Sequence, residues 1–139
     1  MSQENAEIVR AVYERWSEGD FRAGVELLDP HVVLVLDPGF AAFLVSNPDK
    51  GAFYGVEAVA AYTRGILEPM TRLTMEAEEI VAAGDSVFVG VRQRGVGSAS
   101  GAPTEARYFT LWSFRGDKVI RIESFPERSK ALEAAGLRE

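Results

Sequence analysis

At 139 residues, 47% hydrophobic and 26% charged, the chain is one domain long enough to bury a core, and no apolar stretch approaches the ~20 residues that a membrane helix needs. Its 15 basic and 21 acidic side chains leave a net charge of -6, which repels phosphate backbones and argues against nucleic acid as a partner. The chain has no cysteine, which excludes disulfides, thiolate nucleophiles and Cys-ligated metal, and a lone His31 cannot build a His-rich metal site.

The amino terminus, MSQENAEIVR, lacks the basic start and apolar core of a secretory signal, so a soluble, cytoplasmic protein is the expectation. Ile8, Val9, Val12, Tyr13 and Trp16 recur at helical spacing and predict an amphipathic helix over 3–18 that stops at Gly19. Asp20 then caps a predicted second helix, 20–28, which turns Phe21, Val25 and Leu28 inward and ends at Asp29-Pro30. His31 follows that junction and reads as solvated rather than as a triad base. Val32 to Leu36 is too short and too β-branched for a helix and reads as a strand buried on both faces.

Asp37 ends that apolar strand, directly before Pro38 and Gly39. Two readings are open. It is either a turn opener, because Asp and Pro are turn residues, or a carboxylate at a pocket mouth whose basicity is raised by apolar walls. From 38 to 54 the prolines, glycines and Asn47 predict a long loop, and Phe40, Phe43, Leu44 and Phe53 give it the apolar bulk of a lid. Asp49 and Glu57, in or beside it, read as solvated.

Helical spacing returns over 56–67. After it, alternation broken by turns predicts four antiparallel strands at about 73–81, 87–96, 105–114 and 118–125, and a short helix over 127–135 with Gly136 as its stop. The fold class is therefore α+β: a cone-like curved antiparallel sheet wrapped around three N-terminal helices, with a pocket on the concave face. On the third of these strands Tyr108, Thr110, Trp112 and Phe114 share one face, which is assigned to the inside, together with Val87, Val89, Val91, Gln93, Ile122 and Ser124 from the neighbouring strands. Arg92, Arg94, Arg107 and Arg121 then look outward.

The segments VYERWSEGD (12–20), LLDPHV (27–32), YGVEAV (54–59), AAGDSVFV (82–89), LWSFRGDKVIRI (111–122) and ALEAAGL (131–137) resemble the SnoaL-like branch of the nuclear-transport-factor-two-like superfamily, over nearly the whole chain. The resemblance implies a deep apolar pocket and a homodimer formed through the sheet, and leaves the chemistry open among isomerases, dehydratases, epoxide hydrolases, cyclases and noncatalytic binders. Asp37-Pro38 is similar to the proton-abstracting Asp-Pro pair of ketosteroid isomerase, displaced by one residue. That displacement reverses the face unless a bulge restores it. Tyr13 stands one position after the isomerase's helix-one tyrosine, and Thr110 occupies the approximate place of its sheet acid. Val91, Gln93 and Ser124 fall where an epoxide hydrolase of this superfamily carries its Asp-Arg-Asp cluster.

Two functions lead the expectations, and an adaptor that works through its dimer face is a third. The first is cofactor-free abstraction of a proton from carbon of a small apolar or aromatic substrate, of isomerase or lyase type, with Asp37 as base and Tyr13 assisting the anion. Trp16, Phe40, Phe53, Tyr62, Val89, Val91, Gln93, Tyr108, Thr110, Trp112, Ile122 and Ser124 would line the pocket. The second is noncatalytic binding of a small hydrophobic ligand, in which Asp37 merely ends a strand.

Overall fold

The computed structural model describes residues 2–38, 51–67, 70–97 and 99–137. In chain order these form α1 (Ser2–Trp16), a 3-10 turn (Val25–Leu27), β1 (Leu28–Leu36), β2 (Ala52–Tyr54), α2 (Val56–Leu67), β3 (Met70–Ala83), β4 (Ser86–Gly97), β5 (Pro103–Arg115), β6 (Lys118–Phe125) and α3 (Arg128–Ala135). Among the described residues no helix is long and apolar enough to cross a membrane.

The helix expected over 20–28 does not form. Gly24 stands in its middle at φ 95°, a left-handed conformation that breaks a right-handed helix, and a Cβ there would meet the Val12 side chain at 3.2 Å. Asp20, expected as its cap, instead accepts from the Arg22 backbone N–H at 3.2 Å and from Arg15 Nε at 2.9 Å. The segment folds as turns, pinned when Trp16 Nε1 donates to the Ala23 carbonyl at 3.0 Å. The last helix stops as expected at Gly136, whose φ of 74° lets the Leu137 N–H reach back to the Leu132 carbonyl at 2.8 Å.

The six strands form one sheet in the order β2-β1-β6-β5-β4-β3. It is mixed rather than wholly antiparallel, because β1 runs parallel to β6 while every other neighbouring pair is antiparallel. Pro30, which offers no ladder donor, is accommodated by a register shift between Leu28 and Val33, where the His31 N–H turns back to Asp29 Oδ1 at 2.8 Å. His31 itself is exposed.

The two faces carry different cores. On the concave face α1 brings Ala6, Val9, Val12 and Tyr13 against Val87, Val89, Val91 and Trp112. On the convex face α3 covers Phe88, Leu111 and Phe125 with Ala131 and Leu132. Strand alternation alone separates Phe88 from Val87 and Val89. The remaining convex surface is charged: Arg92 pairs with Glu105 at 3.0 Å, Arg107 with Glu78 at 3.0 Å, and Arg94 with Glu76. The outward assignment therefore stands for Arg92 and Arg94, whereas Arg107, paired outward with Glu78, also borders the concave cavity.

Candidate functional site

A cavity of about 1380 Å³ lies between the concave face, α1, α2 and the 20–28 turn. β5 supplies one wall through alternate residues, from Thr104 and Ala106 to Tyr108, Thr110 and Trp112, because period-two geometry sends these side chains to one side. Leu34 and Leu36 of β1 and Ile122 and Ser124 of β6 extend it. Across from them, α2 contributes Tyr62, whose ring lies 4.7 Å from that of Phe53 on β2. At the α1 end Tyr13, Trp16 and Trp112 form an aromatic trio with centroids 4.9–5.9 Å apart.

The polar groups of this floor form a triangle. Tyr13 Oη and Thr110 Oγ1 are 3.2 Å apart, and Trp112 Nε1 points between them, 3.2 Å from Thr110 Oγ1 and 3.4 Å from Tyr13 Oη. The indole has one hydrogen to give, and one hydroxyl hydrogen closes the Tyr13–Thr110 contact. The second hydroxyl hydrogen remains and finds no acceptor among the described residues, so the floor presents one hydrogen-bond donor to whatever fills the cavity. Burial pushes the Tyr13 phenol up to about 12, against the smaller lowering effect of its Thr110 and Trp112 contacts, so the donor stays protonated through neutral pH. Burial likewise raises Tyr62 to about 12 and Tyr108 well above the ordinary phenol value.

Further along β5, Tyr108 Oη donates to Gln93 Oε1 at 3.1 Å and lies 3.5 Å from Met75 Sδ. Gln93 and Met75 both border the cavity. The one carboxylate among the described lining residues is Asp20, which the Arg15 guanidinium and the Arg22 backbone hold below its usual range. No group of three potential metal ligands occurs among the described residues.

Most of the residues anticipated from sequence converge here: Tyr13, Trp16, Phe53, Tyr62, Gln93, Tyr108, Thr110, Trp112, Ile122 and Ser124 all border the cavity. Val89 and Val91 do not. They are 0% and 1% exposed in the core beneath α1, which covers that part of β4. Phe40, Phe43, Leu44 and Asp49 lie outside the described residues. The expected loop is in part a strand, since Phe53 of β2 pairs with Leu34 of β1. Leu34, Leu36 and Met75 were not anticipated on the cavity wall. For β1 the sequence held no such signal, because Val32 to Leu36 is uniformly aliphatic and reads as buried on both faces, whereas in the fold Val32, Leu34 and Leu36 alternate with the less buried Val33 and Val35.

Asp37 is a correction. The register of β1 against β6 is regular from Val33 to Leu36, with no bulge to turn the chain over, so Leu36 faces the cavity and Asp37 faces the convex side. Its N–H donates to the Ser124 carbonyl at 2.9 Å, and its carboxylate stands 3.6 Å from Lys130 Nζ of α3. It borders a separate shallow depression with Phe125, Lys130, Glu133 and Ala134.

This architecture is shared with known proteins. A protein described as a SnoaL-like polyketide cyclase from Jannaschia sp. CCS1 superposes with a TM-score of 0.73 at 19% identity, over 99% of this chain and 95% of that one. TerC, crystallised with polyporic acid, gives a TM-score of 0.70 at 18% identity over 95% and 98%. A protein with a ketosteroid isomerase-like fold from Catenulispora acidiphila DSM 44928, in complex with trimethylamine, gives 0.67 at 18% identity over 95% and 94%. At these identities the likeness shows the fold. No curated protein matches the chain in sequence. The SnoaL-like domain model matches residues 9–122, and the chain belongs to the SnoaL-like family.

Proposed function

We propose that the chain binds a largely apolar, aromatic small molecule in the concave cavity, with an acceptor oxygen of that molecule hydrogen-bonded at the Tyr13–Thr110–Trp112 floor. The observation that carries this reading is the spare hydroxyl hydrogen of the triangle, set among aromatic walls. A carbonyl or phenolate oxygen satisfies it, whereas a purely hydrocarbon ligand leaves a buried donor without a partner, which costs affinity. The cyclase and isomerase-like descriptions among the structural neighbours are compatible with either binding or catalysis in such a pocket. Abstraction of a proton from carbon is the finer alternative. It needs a base other than Asp37, because that carboxylate lies on the other face of the sheet beside Lys130.

The test is titration with acetylnaphthalene and ethylnaphthalene, followed through the fluorescence of Trp16 and Trp112, both on the cavity. The ketone is expected to bind more tightly, and Tyr13→Phe to weaken the ketone by about tenfold while leaving the hydrocarbon nearly unchanged. Failure of both probes to bind would refute the cavity reading. Equal binding of the two would remove the floor as the recognition point. Asp37→Asn is expected to leave both affinities within twofold. A large loss in that variant would return Asp37 to the site.

A further inference from the structure

Gln93 borders the cavity, and its Oε1 accepts from Tyr108. A phenol O–H has one hydrogen to donate, and the amide oxygen at 3.1 Å is a stronger acceptor than the Met75 sulfur at 3.5 Å. Tyr108 therefore fixes which way the amide turns, and leaves the Nε2 hydrogens as donors. The ring of Tyr108 is packed against the concave core, so the orientation is imposed by a well-held partner.

Gln93 is also far from the first donor. In the β4–β5 register it stands opposite Ala106, whereas Thr110 stands opposite Val89. Four residues of strand separate Ala106 from Thr110, so the two polar stations lie about 10–14 Å apart along the wall. Between them the cavity is continuous, since every alternate residue of β5 from Thr104 to Trp112 borders it.

We propose that Gln93 is a second recognition point, whose amide N–H, oriented by Tyr108, donates to an acceptor oxygen at the end of the ligand remote from Tyr13, Thr110 and Trp112. The ligand class is then an elongated, rigid, mainly apolar molecule carrying oxygen acceptors at both ends. This inference rests on the cavity reading above and adds a length and a second polar terminus to it. Gln93 acts by contact with the ligand, and Tyr108 is a positioning residue that acts through Gln93.

Two probes separate the two ideas: para-acetylbiphenyl, with one terminal carbonyl, and para,para′-diacetylbiphenyl, with a carbonyl at each end. The wild-type chain is expected to bind the diketone about tenfold more tightly than the monoketone, the scale of one added hydrogen bond to a desolvated donor. Gln93→Leu, close in size but without the amide, is expected to erase that preference and keep the monoketone affinity. Gln93→Asn, which withdraws the amide by one methylene, is expected to do the same and guards against a packing fault specific to leucine. Tyr108→Phe is expected to reduce the preference only in part, because it frees the amide without removing it. Equal binding of the two ketones by the wild type, or a preference that survives in both Gln93 variants, overturns the second station while the Tyr13 floor stands. Binding of neither ketone by the wild type overturns the cavity reading and this inference together.

Discussion

Replacing Trp112 with alanine is expected to lower the free energy of unfolding by about 3–5 kcal/mol, the range for deleting a large aromatic from a core. Trp112 is 2% exposed and packs against the end of α1: its ring centroid lies 5.9 Å from Tyr13 and 5.8 Å from Trp16. Its loss also takes the N–H from the Thr110 and Tyr13 oxygens, a cost that apolar truncation alone does not carry. In a chain of this size the thermal midpoint is expected to fall by roughly ten degrees or more. Urea unfolding of the two proteins, compared at equal slope, measures the difference. A loss below about 1 kcal/mol would show that the ring is not held as described. Trp112→Phe provides the finer comparison, since it keeps most of the apolar burial and removes only the donor.

Stability is also expected to fall steeply between pH 10 and 12, the ordinary value of a phenol and the value to which burial pushes Tyr13 and Tyr62. A phenol whose proton is held more tightly in the fold than in the open chain gives its full contribution below pH 10, and that contribution is lost as pH rises through the folded value. At 3% exposure Tyr13 carries little solvent screening, and a shift of this size corresponds to about 2–3 kcal/mol. Tyr62 is less buried and contributes less. Amines lose their protons over the same range in any protein, so the informative quantity is the difference between the wild type and Tyr13→Phe. The variant is expected to start less stable at pH 8 and to decline more gently to pH 11.5. Parallel declines would mean that the Tyr13 phenol ionises in the fold as easily as in the unfolded chain.

How far the sequence disclosed all this depended on how local each question was. The inward face of β5 was legible because Tyr108, Thr110, Trp112 and Phe114 share one parity and Arg107 and Ser113 mark the other, even with Phe109 and Leu111 between them, and period two needs no knowledge of partners. The 20–28 segment misled because Phe21, Val25 and Leu28 satisfy helical spacing, while Gly24 stands left-handed at a place where a Cβ would crowd Val12, which spacing does not display. The side taken by Asp37 depended on an unbroken register along β6, a pairing that a linear chain does not display. Val89 and Val91 share their face with Gln93, yet α1 decides which of them is core and which is cavity wall. The polar triangle joins residues 97 and 99 positions apart; its members were named, but their common proton count exists only in three dimensions.

The parallel pairing of β1 with β6 has a kinetic meaning. β1, together with the β2 segment that hydrogen-bonds to it, finds its parallel main-chain partner only when residues 118–125 have been made. Until then Val32, Leu34 and Leu36 belong to an unpaired apolar edge, the kind of surface that recruits other chains. The β3–β4–β5 meander can form by short steps, but sealing the sheet requires closure of a loop that takes in most of the protein, which places folding among the slower, high-contact-order cases. A chain ending before β6 would keep much of its meander and still lack the wall on which Leu34, Ile122 and Ser124 meet. Assembly of the cavity thus waits on β6, and β1 remains exposed to misassociation until residues 118–125 are made.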